Sequence, residues 1–314
     1  MKTMKNISKC LAAILLVVNL SSCVDLEPEP LSFFAPENTF MDKEGLEALL
    51  ITSRKQIKWE WFGDAFNAGY CETPLVYEYA WSDVSVMGAP EVKEIHNLET
   101  QLTPTTSMAL HLRYWDLAWN GIKYANTVIS RVPKSTIDNE TDKNELLAEG
   151  YFHRAYWYYL LVNQWGDVPL LLEEITEPKL DFYTVSRMKI LQQMKTDMEF
   201  AVKWLPKNVK PGCVNRAAGE HLLAKIYLST GDFQLAVDAT TRCINDYGLH
   251  LMKERFGVNA EDASLDVFND LFQEDNISSS ENKEAIFVVQ ERYGIEGHQR
   301  QITDRKTPFT LKGG

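Results

Sequence analysis

The feature that most constrains the fold is a series of amphipathic segments between residues 107 and 246. In the first of them, apolar side chains recur every three or four positions from Leu112 to Ile129, which places them on one face of a helix. The same spacing predicts further helices over 40–58, 142–164, 186–205, 215–229 and 233–246. Each of these helices has an apolar face to bury, so we expect a mainly α-helical fold with long loops and little β-structure.

Residues 151–159 are aromatic almost all round the predicted helix, so we expect this stretch to be buried on most sides. Gly166 fits the left-handed position just after a helix, and Pro169 prevents the helix from continuing. An apolar run from Ile286 to Val289 predicts a strand over residues 284–290.

The helix pair over 215–246 carries a recognisable spacing. Leu223, Ala224, Tyr227, Gly231 and Ala236 stand at offsets that resemble the tetratricopeptide repeat. Small residues let two antiparallel helices approach, the tyrosine fills the gap between them, and the glycine turns the chain. One repeat cannot bury its own apolar face, so we expect the preceding helices to form a tetratricopeptide-like layer with it. A generic helical hairpin is the alternative.

The N-terminus has the pattern of an export signal. Three lysines precede an apolar run of nine residues, Cys10 to Val18, which is far shorter than the ~20 residues of a membrane-spanning helix. The run ends in Leu20-Ser21-Ser22-Cys23, which resembles the lipobox of bacterial lipoproteins. The resemblance implies removal of residues 1–22 and a lipid anchor on Cys23; an ordinary secretory signal is the alternative. Residues 23–39 contain acids and prolines directly after the first few positions, as in Glu27-Pro28-Glu29-Pro30, and are expected to form an extended tether.

Charge and motif content exclude several classes of protein. The formal net charge is −12 and no basic run is present, which argues against nucleic-acid binding. Cys71, Cys213 and Cys243 form no CxxC motif, so neither a zinc site nor a disulfide framework is expected. The six histidines lack metal-ligand spacing, and no nucleophile elbow or phosphate-binding loop is present. We therefore expect no metal, no cofactor and no enzymatic activity.

Residues 148–172 carry the strongest family resemblance. They resemble the most distinctive stretch of the SusD/RagB family of Bacteroidetes outer-membrane lipoproteins, in which an aromatic helix ends in a Gly-Asp-Val-Pro-Leu turn. The matching positions are Glu149, Phe152, Arg154, Ala155, Tyr158, Leu161, Gly166, Asp167, Pro169 and Leu170. Further matches include Tyr124-Ala125-Asn126, Asn215-Arg216-Ala217-Ala218 and the segment from Leu222 to Leu228. Family members are longer, so the resemblance implies that residues 40–314 lack the C-terminal part of the family fold.

The resemblance implies a lipid-anchored protein of the outer membrane that faces the cell exterior. Such a protein captures an oligosaccharide, or a peptide, and passes it to a SusC-like TonB-dependent transporter. A scaffold lipoprotein that binds other proteins through its helical repeats is the alternative, and a surface glycosidase is a third.

Candidate ligand-binding residues come from the aperiodic, aromatic-rich segment 59–105. Flat aromatic rings stack on the C–H faces of sugars, and nearby polar side chains bind hydroxyls. Residues of these types in the segment are Tyr79, Trp81, Asp83, His96 and Asn97. In the family this part of the chain contributes to the ligand face, although a structural role is open for each residue. Arg154 is expected to form a structural ion pair with Glu149 or Asp167, and Gly166, Asp167, Pro169, Tyr227 and Gly231 are expected to shape turns and helix contacts.

Overall fold

A computed structural model describes residues 41–61 and 109–290 of the chain. The long helices are α1 (Lys43–Trp61), α2 (Ala109–Arg131), α3 (Glu140–Trp165), α4 (Arg187–Trp204), α5 (Arg216–Thr230) and α6 (Phe233–Asn245). Two short helices follow, α7 (Val267–Leu271) and α8 (Glu274–Ile277), and a 3-10 turn covers Val132–Lys134. The mainly helical fold is confirmed, and the predicted helix boundaries agree with these bounds to within a few residues.

Consecutive helices pack against one another from α1 to α6, and α1 also contacts α3. Small residues set the closest approaches between them. A Cβ on Gly121 of α2 would lie 2.0 Å from Nε1 of Trp157 in α3, and a Cβ on Gly219 of α5 would lie 2.8 Å from Cδ1 of Leu205. The helices therefore form a tetratricopeptide-like layer in which each buries the apolar face of its neighbour.

The hairpin between α5 and α6 has the predicted construction. Gly231 adopts the left-handed conformation, with φ 82° and ψ 10°, and its N–H donates to Leu228 O. Ala224 and Ala236 are buried at the helix contact, and the hydroxyl of Tyr227 donates to Glu199 Oε1 at 3.0 Å. Burial and this bond to Glu199 both raise the pKa of Tyr227.

Helix α3 occupies the centre of the core, as its aromatic sequence predicts. Trp157 and Tyr158 are completely buried, and Phe152 is nearly so. Asn139 caps the N-terminus of α3: its side-chain oxygen accepts hydrogen bonds from the N–H groups of Thr141 and Asp142. Burying each of these large side chains contributes about 1.5–3 kcal/mol, so α3 is the main apolar anchor of the layer.

The only β-structure in the described ranges is a minimal antiparallel pair. Strand β1 (Val168–Pro169) pairs with β2 (Thr184–Val185), with Val168 opposite Val185 and Pro169 opposite Thr184. The strand predicted over 284–290 is wrong, because no strand pairs with it in the described parts of the chain. The Ile286 carbonyl instead accepts a hydrogen bond from Nδ2 of Asn215, and the Ile286 side chain packs against the helical core.

No helix in the described ranges is long and apolar enough to cross a membrane.

Candidate ligand-binding site

Cys23 and the five candidates Tyr79, Trp81, Asp83, His96 and Asn97 lie outside the described residues and stay predictions. The predicted aromatic segment 59–105 falls outside them too, except for its first three positions.

Residues 170–183 form a loop whose two ends meet at the β1–β2 pair. The turn into it begins at Gly166, whose φ of 72° is positive. Its ψ of −114° lies outside the left-handed helical region, so the left-handed position predicted for Gly166 is wrong in ψ. Asp167 follows, and its Oδ1 accepts a hydrogen bond from the first N–H of α4, that of Arg187, at 2.8 Å. The Gly-Asp-Val-Pro stretch thus joins α3 to α4 and projects the loop between them.

The start of this loop is fixed to the helices by hydrogen bonds. The hydroxyl of Tyr158 accepts from the Leu171 N–H at 2.6 Å, and Nδ2 of Asn126 donates to the Leu171 carbonyl at 2.9 Å. Burial raises the pKa of Tyr158 well above its usual range, so the phenol stays neutral. Further along the loop, the Glu174 N–H donates to Oγ of Ser130 at 2.9 Å.

Arg154 supplies the central connection of this network. Its guanidinium donates to Asp197 at 2.8 Å, to Oδ1 of Asn126 at 3.1 Å and to the Leu172 carbonyl at 2.7 Å. Arg154 and Asp197 are 3% and 4% exposed, so the pair is buried and further donors of Arg154 are used on the loop. The prediction that Arg154 forms a structural ion pair near the turn is therefore confirmed.

The partners predicted for Arg154 are wrong. Glu149 precedes Arg154 by five positions on the same helix, a spacing that does not place two side chains on one face. Glu149 instead accepts two hydrogen bonds from Arg54 of α1, at 2.6 and 2.8 Å, and Asp167 is engaged at the start of α4. Only the packing of α3 against α4 brings Asp197 to Arg154.

A cavity of about 560 Å³ lies between α2 and the loop. This volume is inside the range of about 300–1,000 Å³ that is usual for small-molecule sites. Its apolar lining consists mainly of Trp115, Trp119, Ile122, Leu171, Ile175 and Phe182. The ring centroids of Trp115 and Trp119 are 5.5 Å apart in an edge-to-face arrangement. The two indoles thus form an aromatic wall, and Phe182 faces the cavity from the loop.

Few polar groups reach the cavity. Asn126 is buried, and its amide is already bonded to Leu171 and Arg154. Glu174 lines the cavity as well, but its carboxylate accepts two hydrogen bonds from Arg131, at 2.9 and 2.7 Å. Lys123 and Glu173 are exposed in the lining and can offer hydrogen bonds to a ligand. The aromatic and polar lining offers a ligand stacking surface and hydrogen bonds. No group of three or more metal-ligating side chains occurs in the described ranges.

The sequence did not indicate this cavity, because its apolar spacing places Trp115 and Trp119 on the packed face of α2. In the structure both side chains are only partly buried. One signal was available: the segment 170–183 contains apolar residues, among them Ile175 and Phe182, that follow neither a helical nor a strand periodicity.

The fold and the cavity define a helical-repeat protein with a partly open, aromatic-lined site. Residues 71–228, half of the chain, match the family model of SusD-like proteins that is described as "Starch-binding associating with outer membrane". The chain belongs to this SusD-like family.

A curated relative agrees with this assignment, and solved structures share the fold. SusD-like protein P2 of Formosa agariphila is 27% identical over 238 residues, which are 74% of this chain and 45% of the relative. A SusD superfamily protein of Bacteroides vulgatus has a TM-score of 0.60 at 18% identity, over 71% of this chain and 48% of that one. A laminarin-binding SusD-like protein has a TM-score of 0.56 at 22% identity, over 67% and 46%. The chain thus spans about half the length of these relatives.

Proposed function

We propose that the protein binds a nutrient glycan at the cell surface and delivers it to a SusC-like TonB-dependent transporter in the outer membrane. The match to a family described as starch-binding is the observation that carries this proposal. Structural similarity to a laminarin-binding protein and the aromatic cavity beside α2 are consistent with a carbohydrate ligand.

Glycan binding is tested by titrating the purified protein with a panel of oligosaccharides in a calorimeter. Several tryptophans contact the described core and the cavity, so their fluorescence gives a second signal in the same titration. Saturable heat with at least one glycan is the expected result. Absence of heat and of any fluorescence change across the whole panel would contradict the proposal.

Binding without chemistry is part of this proposal. A capture protein has to release its ligand intact, so the oligosaccharide recovered after prolonged incubation should be unchanged in length. Chromatography of the recovered sugar checks this, and the appearance of shorter products would support the glycosidase alternative instead.

The lipid anchor and the location rest on the sequence around Cys23. Cys23→Ser should abolish incorporation of a labelled fatty acid and release the protein from the membrane fraction, because the acyl chains provide the anchoring energy. Protease added to intact cells should degrade the wild-type protein if it faces the exterior. Protection of the protein in intact cells would place it on the inner side of the envelope.

The transporter partner is tested in native membranes. A tagged copy of the protein should co-purify with a TonB-dependent β-barrel after gentle solubilisation. Recovery of other envelope proteins without such a barrel would favour the alternative role as a scaffold. The outer face of α6 gives that alternative some support, because Phe233, Val237 and Ile244 of this face are 65%, 55% and 60% exposed.

A further inference from the structure

We propose that the cavity between α2 and the loop 170–183 is a glycan subsite that takes an uncharged pyranose ring, with the loop as its specificity-determining wall. This inference rests on the proposed glycan-binding function and assigns a position and a ligand class to it. The site differs from the one that the sequence suggested, which lies in the segment 59–105.

The helix side of the cavity is a rigid aromatic wall. Trp119 of α2 contributes to one wall, and its ring stands edge-on to Tyr158 at a centroid distance of 6.0 Å, so its orientation is set by the core. Trp115 is held in the same way against Trp165, at 5.2 Å. Rigid aromatic rings beside an open cavity provide stacking surface at little cost in conformational entropy. Pyranose rings with equatorial hydroxyls present flat C–H faces that match such surfaces.

The loop forms the opposite wall of the cavity. Leu171 and Leu172 are held by Asn126, Tyr158 and Arg154, which fixes the start of the loop against the core. Further along, Ile175 and Phe182 line the cavity although they are 49% and 42% exposed. Exposed apolar side chains on a wall anchored in this way are suited to contact a ligand and add little to the folded core.

The charged groups around the cavity favour an uncharged ligand. Lys123 is the one cation in the described lining, and the carboxylate of Glu173 is also part of it. The cation of Arg131 near the loop is occupied by Glu174. The chain as a whole carries a formal net charge of −12. A uronic acid or a sulfated sugar would bring a further negative charge to this surface without a free arginine fork to receive it. An uncharged sugar avoids this repulsion, and Lys123 and Glu173 can bind its hydroxyls.

The experiment compares two neighbouring aromatic residues of the loop. Phe182→Ala removes a ring that lines the cavity, whereas Tyr183→Ala removes an 80% exposed ring that is not part of the lining. Both positions lie on the surface loop, so both variants should fold. Far-UV circular dichroism and urea unfolding check that they do. Each variant and the wild type are titrated with laminarihexaose and a xyloglucan oligosaccharide as uncharged probes, and with an oligogalacturonide as the anionic probe.

We expect the wild type to bind an uncharged probe at least tenfold more tightly than the anionic one. Phe182→Ala should weaken that binding about tenfold, since a lost aromatic contact costs about one factor of ten in affinity. Tyr183→Ala should stay within twofold of the wild type. Ile175→Ala gives a second measurement on the same wall and should weaken binding several-fold.

The outcomes separate this inference from the proposed function. Glycan binding that is unchanged in both Phe182→Ala and Ile175→Ala would overturn the assignment of this cavity and leave the proposed function intact. Preference for the oligogalacturonide would overturn the ligand class. Failure of the wild type to bind any of the three probes would overturn the inference, and failure across the broader glycan panel would overturn the proposed function as well.

Discussion

The buried ion pair between Arg154 and Asp197 gives the sharpest test of how this fold is held together. Both side chains are buried, and Asp197 has one further hydrogen bond, from Nε2 of Gln193 at 3.0 Å. Removing one member of a buried pair leaves an uncompensated charge and costs about 3–5 kcal/mol. We therefore expect Arg154→Met to lower the free energy of unfolding by this amount, and Asp197→Leu to have a similar effect.

The double variant should be less destabilised than the sum of the two single variants. It removes both charges, so the cost of desolvation disappears together with the Coulomb attraction. What remains is the loss of donors to the Leu172 carbonyl and to Oδ1 of Asn126, which costs about 1–3 kcal/mol. The cycle should thus give a coupling energy of at least about 2 kcal/mol between the two positions.

The assay is urea unfolding at pH 7, followed by tryptophan fluorescence and by circular dichroism. The partly exposed pair Lys43–Asp142, with an N–O distance of 3.1 Å, is the matched control. Lys43→Met should cost no more than about 1 kcal/mol, because water screens this pair. Single variants at Arg154 and Asp197 that cost less than about 1 kcal/mol, or whose effects are additive in the double variant, would refute the reasoning.

Four further predictions concern single residues. Gly231→Ala should lower the free energy of unfolding by about 1–2 kcal/mol, because the turn holds this position in the left-handed conformation, which a Cβ disfavours. Gly231→Asn should cost less in the same urea titration. Gly121→Ala should destabilise by about 1–3 kcal/mol or more, since its Cβ would lie 2.0 Å from the Trp157 ring, and combining it with Trp157→Phe should restore part of the loss. For Glu149, burial alone would raise the pKa, but its interactions with His153 and Arg54 outweigh that effect and lower the pKa below 4.5. The stability contributed by this ionised carboxylate should therefore be complete above pH 4.5 and be lost as the pH falls through the folded-state pKa. Glu149→Gln should reduce this loss of stability at acid pH, in unfolding curves measured from pH 7 to 3. Burial, and to a lesser extent the nearby Glu220 carboxylate, raises the pKa of the Cys243 thiol to about 11. Alkylation of this thiol, monitored by peptide mass spectrometry, should therefore be slow at pH 8 and accelerate up to about pH 11. Rapid alkylation at pH 8 would contradict the burial.

Local patterns in the sequence were sufficient for the helices. Apolar spacing of three and four residues, together with Pro and Gly at the boundaries, located α1 to α6 because these signals act over one or two helical turns. The aromatic stretch in α3 was correctly placed in the core, since a helix that is apolar on every side has to be surrounded. The strand predicted over 284–290 failed for the converse reason: an apolar run becomes a strand only if another strand pairs with it.

The candidate site depended on contacts between distant segments. The residues that converge on the start of the loop are Asn126, Arg154, Tyr158 and Asp197, and they come from three helices. No spacing rule along the chain indicates that Arg154 meets Asp197, or that Trp119 faces a cavity closed by Phe182. Such encounters follow from the angles and distances at which whole helices pack, which depend on side-chain volumes across the interface.

The sequence by itself determined the helical layer, the turn at Gly231, the buried position of α3 and the resemblance to the SusD/RagB family, because each of these follows from short-range patterns of residues. The tertiary structure decided the partner of Arg154, the course of the loop 170–183 and the aromatic cavity beneath it. The physical reason is that a helix boundary is encoded by residues within a few positions of one another, whereas a binding cavity exists only where segments far apart in the chain pack without filling the space between them.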